Sequence, residues 1–249
     1  MKIKKIDAVS YKNNKTEIVN ENVVNDETII LTINNSIIRR LSAIDDSLKE
    51  FAVGYLFDEN MVDSIDSIEE IKIEKNRINV QIDDRLLKSN ESVLCSDSAG
   101  GWRSKIKTVN HIESDFQVSV HELINRIEEM KNHAKIWRAT GGTHVAGIVY
   151  DNQFIVKEDV SRHVAVDKVV GYGILHDFDL SNSYIIYSGR MPGDMVIKMS
   201  RVGIPILASN AAPAYSGYKI AKKGNITLVG FLRGERCNIY NNQNRVIFD

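Results

Sequence analysis

The sequence predicts an α/β protein, α+β overall, with a smaller N-terminal α+β unit and a larger C-terminal unit in which helices flank a mixed sheet. Three observations carry this. Strand-like alternation joined by turn residues fills much of the first third, residues 83–118 lack a steady period, and from Ser119 onward apolar runs of strand length alternate with helical spacing. The boundaries are drawn at 1–84 for the first unit, 85–118 for a cysteine-bearing loop and 119–249 for the second unit.

In the first unit, Glu27 to Ile33 and Ser36 to Leu41 are β-prone runs joined by Asn34-Asn35, a hairpin signal. Asp45 or Asp46 suits a helix N-cap, and Leu48, Phe51, Ala52, Tyr55 and Leu56 follow at helical spacing. Ile71-Lys72-Ile73, a turn through Asn76 and Ile78 to Ile82 read as a second hairpin. Residues 83–118 collect Asp, Ser, Asn and Gly around Cys95. A loop this long in a compact chain is usually functional.

In the second unit, Ser119-Val120-His121-Glu122 is a capping box, and a helix is expected to run to about Ile136. Val145 to Tyr150 and Phe154 to Lys157 read as strands around Asp151-Asn152. They are followed by a helix over Ala165 to Leu175, a strand over Tyr184 to Tyr187 and a helix over Gly193 to Val202 behind Pro192. A strand over Ile204 to Leu207, a helix over Ala214 to Lys222 and a strand over Ile226 to Phe231 complete the pattern.

Composition excludes several classes. The 249 residues carry 32 Lys+Arg against 33 Asp+Glu, a net charge of −1, which argues against a nucleic-acid binder. The longest uncharged stretch, Val202 to Tyr218, holds Pro205 and Pro213 and is a poor membrane span. The first residues, Met1 to Asp7, show no signal-peptide pattern. The two cysteines, Cys95 and Cys237, are too few for a disulfide scaffold, so a cytoplasmic setting with reduced thiols is expected.

The informative feature is what flanks the strands of the second unit. Thr140-Gly141-Gly142-Thr143-His144 precedes one strand, and Glu158-Asp159-Val160-Ser161-Arg162-His163, with Asp167-Lys168, closes another. Ser188-Gly189-Arg190 and Ala208-Ser209-Asn210-Ala211-Ala212-Pro213 close two more. Small residues let backbone approach a ligand, turns before helices present free N–H groups, and open α/β sheets bind ligands at the carboxyl ends of strands. Arg162 and Arg190 offer planar donors suited to phosphate. Each turn alone is ordinary; four together predict a ligand cleft. His163 and His144 are candidates for acid/base work or, more commonly, hydrogen-bonding anchors. Arg233 and Arg236 follow an apolar strand, either as a phosphate site or as a solvated hairpin.

Known signatures are missing. His111-Ile112-Glu113 matches half of a zinc-deaminase signature, but no Pro-Cys-x-x-Cys follows. Neither a GxGxxG fingerprint nor a P-loop occurs.

Taken in order, Thr140 to His144, Glu158 to Lys168, Ser188 to Arg190, Ala208 to Pro213 and Leu228 to Arg233 resemble the FdhD/NarQ family. The segment Glu50-Phe51-Ala52-Val53-Gly54-Tyr55-Leu56 is similar to that family's helix motif. The resemblance covers roughly Glu27 to Asp249. It implies a formate dehydrogenase accessory sulfurtransferase, dimeric, whose C-terminal domain is cytidine-deaminase-like without zinc. Such a protein takes persulfide sulfur from a cysteine desulfurase. It delivers that sulfur to a molybdenum (or tungsten) bis(molybdopterin guanine dinucleotide) cofactor bound for formate dehydrogenase. GDP would mimic part of that cofactor.

By the same resemblance the persulfide role passes to Cys95, and the cofactor segment to Phe231, Leu232, Arg233, Gly234, Glu235 and Arg236. With them stand Thr140, Gly141, Gly142, His144, Arg162, His163, Asp167, Lys168, Ser188, Gly189, Arg190 and Ser209 as the expected cofactor contacts. Ser98 stands where the family's loop has a second cysteine, Ser161 where it has Gly, and Val164 where it has Asn. A carrier needs one thiolate; a neighbouring thiol would attack the persulfide and release sulfide. Arg103, Lys105 and Lys107 favour the thiolate and Asp97 opposes it. Cys237 is expected to pack or to be inert. Rival readings are a cofactor chaperone without sulfur chemistry and a nucleotide-sensing module.

Overall fold

A computed structural model describes residues 2–83, 85, 92–94, 102–104 and 108–248. Cys95, Asp97, Ser98, Lys105 and Lys107 lie outside the described residues, and for Arg103 only the backbone is described.

Residues 3–24, unassigned from sequence, form a hairpin of β1 (Ile3–Lys12) and β2 (Lys15–Val24). Asn13 and Asn14 take left-handed φ of 52° and 59°, as a two-residue turn with the strands' own twist requires. The pair is a sheet of its own, and Val9, Tyr11 and Ile18 are exposed on one of its faces. With both faces largely in solvent, its side chains lack the apolar alternation that marks a half-buried strand.

The first expected hairpin is β3 (Glu27–Ile33) and β4 (Ile37–Ala43), turning at Asn34 and Asn35. The helix α1 (Leu48–Asp58) follows, then β5 (Ile68–Glu74) and β6 (Arg77–Ile82). The sheet order is β4-β3-β6-β5, with β3 and β6 parallel. Ile29, Leu31 and Ile33 of β3 and Ile78, Val80 and Ile82 of β6 point to one face, where α1 lays Phe51, Ala52, Tyr55 and Leu56. The expected cap at Asp45 or Asp46 is corrected. Ser47 occupies that position without capping the helix: its hydroxyl accepts from Lys157 Nζ at 2.8 Å, and Asp46 accepts from Lys168 Nζ at 2.7 Å.

Two short strands, β7 (Ser92–Leu94) and β8 (Trp102–Ser104), pair antiparallel within the stretch that has no sequence period. β9 (Val118–Ser119) leads into α2 (Val120–His133), where Ser119 Oγ accepts from the Glu122 N–H at 3.0 Å, as the capping box predicts. The single helix expected to Ile136 is instead two. The chain breaks at Ala134, and α3 (Lys135–Thr140) starts anew because the Glu158 carboxylate takes the N–H groups of Ile136 (2.9 Å) and Trp137 (2.7 Å).

The rest alternates as expected: β10 (His144–Tyr150), β11 (Gln153–Asp159), α4 (Arg162–Leu175), β12 (Tyr184–Tyr187) and α5 (Gly193–Val202). Then come β13 (Ile206–Ser209), α6 (Tyr215–Gly224), β14 (Thr227–Arg233), β15 (Arg236–Tyr240) and β16 (Val246–Ile247). The six-stranded order is β11-β10-β12-β13-β14-β15, with β12, β13 and β14 parallel and the other pairings antiparallel. Because strand side chains alternate, one face (Ala146, Ile148, Ile185, Leu207, Leu228) packs under α4 and α5 through Val166, Val169, Val170, Met195 and Met199. The other face (Val145, Val149, Ile186, Ile206, Val229) packs against Leu123, Ile127 and Met130 of α2. β16 pairs with β9 and brings the chain's end beside α2. No helix among the described residues is long and apolar enough to cross a membrane.

The two units meet along α1 and α4. A Cβ on Gly54 would lie 1.8 Å from the Asp167 carbonyl oxygen, and one on Gly171 would lie 1.8 Å from that of Glu50, so only glycine permits this crossing. Val164 of α4 enters the core of the first unit. Two fully buried lysines complete the seam. Lys168 Nζ reaches Asp46 (2.7 Å), Asp159 (2.8 Å) and the Ile44 carbonyl (3.2 Å), and Lys198 Nζ pairs with Asp167 and with Asp58 (3.2 Å).

Candidate functional site

The pairing register places the small-residue turns together. His144 opposes Asp159 and Ala146 opposes Tyr187, so the start of β10 and the ends of β11 and β12 share one edge; parallel pairing brings the ends of β13 and β14 to the same edge. Thr140 to His144, Glu158 to His163, Ser188 to Arg190, Ser209 to Pro213 and Phe231 onward all lie there. This is the gathering expected from sequence.

A cavity of about 410 Å³ opens on this edge, lined in part by Trp137, Gly141, Gly142, His144, Ser188 and Asn210. Its rim is held from within. Glu158, besides starting α3, accepts the Thr143 hydroxyl at 3.0 Å. Thr140 Oγ1 donates to the Ile136 carbonyl (2.8 Å) and accepts from the Gly142 N–H (3.1 Å). Gly141 ends α3 at φ 65°, the left-handed region that glycine occupies without strain. Gly142 has no room for a side chain, since a Cβ there would come within 2.8 Å of Val24 at the base of the N-terminal hairpin. Ser188 Oγ accepts from the Val145 N–H (3.0 Å) and lies 3.2 Å from His144 Nδ1, which fixes the imidazole on the cavity wall.

Beside the cavity, Arg190 is exposed and Arg162 half-buried, the latter at the first position of α4. Gly189 is buried, and a Cβ there would lie 3.1 Å from Arg162 Cδ. Below it the Tyr187 hydroxyl donates to the Arg190 carbonyl, and burial pushes this phenol well above its ordinary pKa. The end of β14 is irregular. Phe231 sits at φ 54°, its N–H donates to the Ala211 carbonyl at 3.0 Å, and the register with β15 shifts between Gly230 and Arg233. A bulky residue in that region marks a backbone held by its surroundings. The bulge carries the chain into a two-residue turn, Gly234 (φ 57°) and Glu235, that leaves Arg233 and Arg236 exposed.

Five expected contacts are corrected. Asp167 and Lys168 have no exposed surface and hold the seam between the units, on the inner side of α4. His163 is equally buried, with Nε2 3.3 Å from Asp194 Oδ2 on α5. Ser209 Oγ donates to the Gly189 carbonyl (2.6 Å) and accepts from the Ala211 N–H (3.0 Å), tying two strand ends together. Leu232 is a core residue of the α2 face. Conversely, Trp137 and Lys131 line the cavity without having been expected there, while Asn210 and Glu158, named from sequence only as parts of the turns, prove to line the cavity and to hold its rim. The one signal for Trp137 was adjacency, since it stands three residues before Thr140. Cys95 directly follows Leu94, the last residue of β7, and itself lies outside the described residues.

Fold and site together define an α/β protein with a cleft at the carboxyl edge of a mixed sheet, joined to a second α+β unit. The FdhD/NarQ family model matches residues 24–247, and the chain belongs to that family. It is 46% identical over 230 residues to the sulfur carrier protein FdhD of Methanothermobacter thermautotrophicus, covering 92% of this chain and 93% of that one. It is 32% identical over 203 residues to the sulfur carrier protein FdhD of Saccharolobus solfataricus (80% and 79% covered). A crystal structure described as that of a formate dehydrogenase accessory protein from Desulfotalea psychrophila superposes with a TM-score of 0.81. Its sequence is 26% identical, with 98% of this chain and 99% of that chain covered.

Proposed function

We propose that this protein is a sulfur carrier that serves the maturation of formate dehydrogenase in the cytoplasm. The Cys95 thiolate attacks the outer sulfur of a cysteine desulfurase persulfide, giving a Cys95 persulfide and the regenerated desulfurase thiolate. The outer sulfur would then pass to a molybdenum or tungsten bis(molybdopterin guanine dinucleotide) cofactor held as substrate at the carboxyl edge of the six-stranded sheet: the S–S bond breaks, the Cys95 thiolate leaves, and the two electrons that make the sulfur sulfide come from the substrate's reduced metal or an external thiol reductant. Arg162, Arg190, Arg233 and Arg236 meet its phosphates, and Gly141, Gly142 and Gly234 let backbone approach them.

The observation that supports this most is the assembly of a concave pocket and exposed arginines on one sheet edge, in a chain whose relatives are named sulfur carriers. Incubation with a cysteine desulfurase and cysteine, followed by mass spectrometry, tests it. One added sulfur on Cys95 is expected, and a Cys95 that stays unmodified ends the carrier reading.

Ser98 in place of a second loop cysteine favours one other reading, a chaperone that holds the cofactor without sulfur chemistry. A Cys95→Ala protein that still activates formate dehydrogenase would select it.

A further inference from the structure

Charge is unevenly spread along this chain. Residues 195–248 hold eight Lys and Arg against one acid, Glu235, although the whole chain carries a net charge of −1. Three of the eight, Lys198, Arg201 and Arg245, are engaged by buried acids and carbonyls, and Arg233 and Arg236 belong to the cleft in the reading above. Lys219, Lys222 and Lys223 remain. All three are exposed on α6, at spacings that place them on one face with Tyr215 and Tyr218, and α6 has no carboxylate. Among the described residues no acid pairs with any of the three.

Tyr215 is 74% exposed, its ring stacks with that of Tyr218 at 6.3 Å, and Lys219 Nζ lies 5.1 Å from its centroid. Cations in a last helical turn complement the helix dipole, which accounts for Lys222 and Lys223. The dipole accounts neither for Lys219 in mid-helix nor for two rings on an outward face. Tyrosines set in a polar surface are what an interface centre is made of.

The end of this face is joined to the stem that returns from Cys95. The Ile112 N–H donates to the Gly224 carbonyl at 3.0 Å, Asn225 Nδ2 donates to the Ile112 carbonyl at 2.7 Å, and Ser200 Oγ donates to the Asn110 carbonyl at 2.9 Å. A Cβ on Gly224 would lie 3.2 Å from Val109. Beyond Asn225 the stem's own acids, Glu113 and Asp115, line a polar hollow with Arg245 and Asn242. Leu94, the residue before Cys95, pairs with Trp102, and seven residues separate Trp102 from Val109. A chain of that length spans at most about 25 Å. A partner footprint of standard size, about 800 Å², is roughly 30 Å across, so one partner can cover α6 and reach that strand end.

The geometry points to the tyrosine and lysine face of α6 as the docking surface for an acidic protein surface, that of the sulfur donor, beside the stem that carries Cys95. The inference rests on the carrier reading and names the surface its donor meets. Sulfur passing between two protein thiols calls for brief, repeated encounters, and opposite charge speeds such encounters without requiring a tight complex.

The test times sulfur loading of Cys95 by a cysteine desulfurase and cysteine, followed by mass spectrometry at low and at saturating carrier concentration. In a Lys219→Glu/Lys222→Glu/Lys223→Glu protein the rate at low concentration should fall about tenfold or more, while the saturated rate changes little. The rate of the unmodified protein should fall with added salt, and that of the variant should not. The three Lys→Gln changes should give an intermediate loss, and Tyr215→Ser a few-fold one. A Lys5→Glu/Lys12→Glu/Lys15→Glu protein makes the same charge change on the N-terminal hairpin and should load normally. Cysteine persulfide, a small donor, should load every protein equally.

Equal desulfurase rates and equal salt dependence in the α6 variant overturn the inference and leave the carrier reading intact. So does an equal loss in the hairpin variant, or a loss that extends to cysteine persulfide, since neither is docking on α6. Normal loading with lost activation of formate dehydrogenase also overturns it and gives the face to the client enzyme. If Cys95 of the unmodified protein takes no sulfur at all, the carrier reading falls and the inference with it.

Discussion

Lys168 Nζ lies 2.7 Å from Asp46 Oδ1, a carboxylate on the other structural unit and 122 positions earlier in the chain. The ammonium is fully buried and also serves Asp159, itself without exposed surface. Removing a buried charge leaves its partners uncompensated, which typically costs about 3–5 kcal/mol. Lys168→Met is therefore expected to lower the unfolding free energy by about that much, read from chemical denaturation. A midpoint shift equivalent to less than about 1 kcal/mol would mean that the seam does not depend on this ion pair.

Asp46 also gives the seam a pH dependence. Burial works against its charge, but Lys168 and Lys2 outweigh that and hold the carboxyl below its ordinary value. A depressed folded-state pKa contributes stability that is present above the unfolded value of about 3.9 and is lost as pH falls through the lower folded value. Asp46→Asn should start from lower stability near neutral pH and decline less steeply below about pH 4. Denaturation midpoints over a pH series measure both effects.

Gly54→Ala should be among the most damaging single-methyl changes in the chain. The added carbon would fall 1.8 Å from the Asp167 carbonyl oxygen, and backbone on a packed helix cannot swing aside as a side-chain end can. Overpacking of this kind costs about 1–3 kcal/mol and occasionally more. Thermal denaturation of Gly54→Ala and Gly171→Ala should show similar losses, since both break the same crossing.

Arg233 and Arg236 are exposed on the β14–β15 turn and line no core. Their joint replacement by alanine should leave the melting temperature nearly unchanged while weakening GDP binding roughly tenfold at low ionic strength. The difference from the unmodified protein should shrink as salt screens the phosphate contacts. Calorimetric titrations at two salt concentrations decide this.

Cys237 is half-buried, and burial pushes its thiol pKa up. At pH 8 it therefore holds less thiolate than a free cysteine. In a Cys95→Ala protein, alkylation by iodoacetamide should run several-fold slower than for free cysteine and should accelerate as pH rises.

Much of this was legible in the residues, for identifiable reasons. Apolar runs such as Val145 to Tyr150 announce buried strands. The turns between them carry Gly, Ser and Asn because a sheet edge needs them, so the site's location followed from topology. What stayed hidden is direction. Asp167 and Lys168 follow the turn at Ser161 just as a ligand contact would, yet helix rotation buries both against α1 and α5. The Phe231 bulge alters the register beside Leu232, which lies in the core while Arg233 faces solvent. The hairpin of residues 3–24 left no apolar period because it buries little on either face. Trp137 carried no motif at all; only its position on the cavity wall distinguishes it.

The buried lysines also bear on how the chain comes apart. Each ammonium draws one acid from its own half and one from the other, and Asp58 in the first half has no exposed surface. A fragment cut between Ile82 and Val118 would open the glycine-lined seam to water and leave Asp58 without its ammonium partner. The division visible along the sequence is thus no line of cleavage in energy. Heating should take both halves through one shared transition, and neither should survive as an independent module.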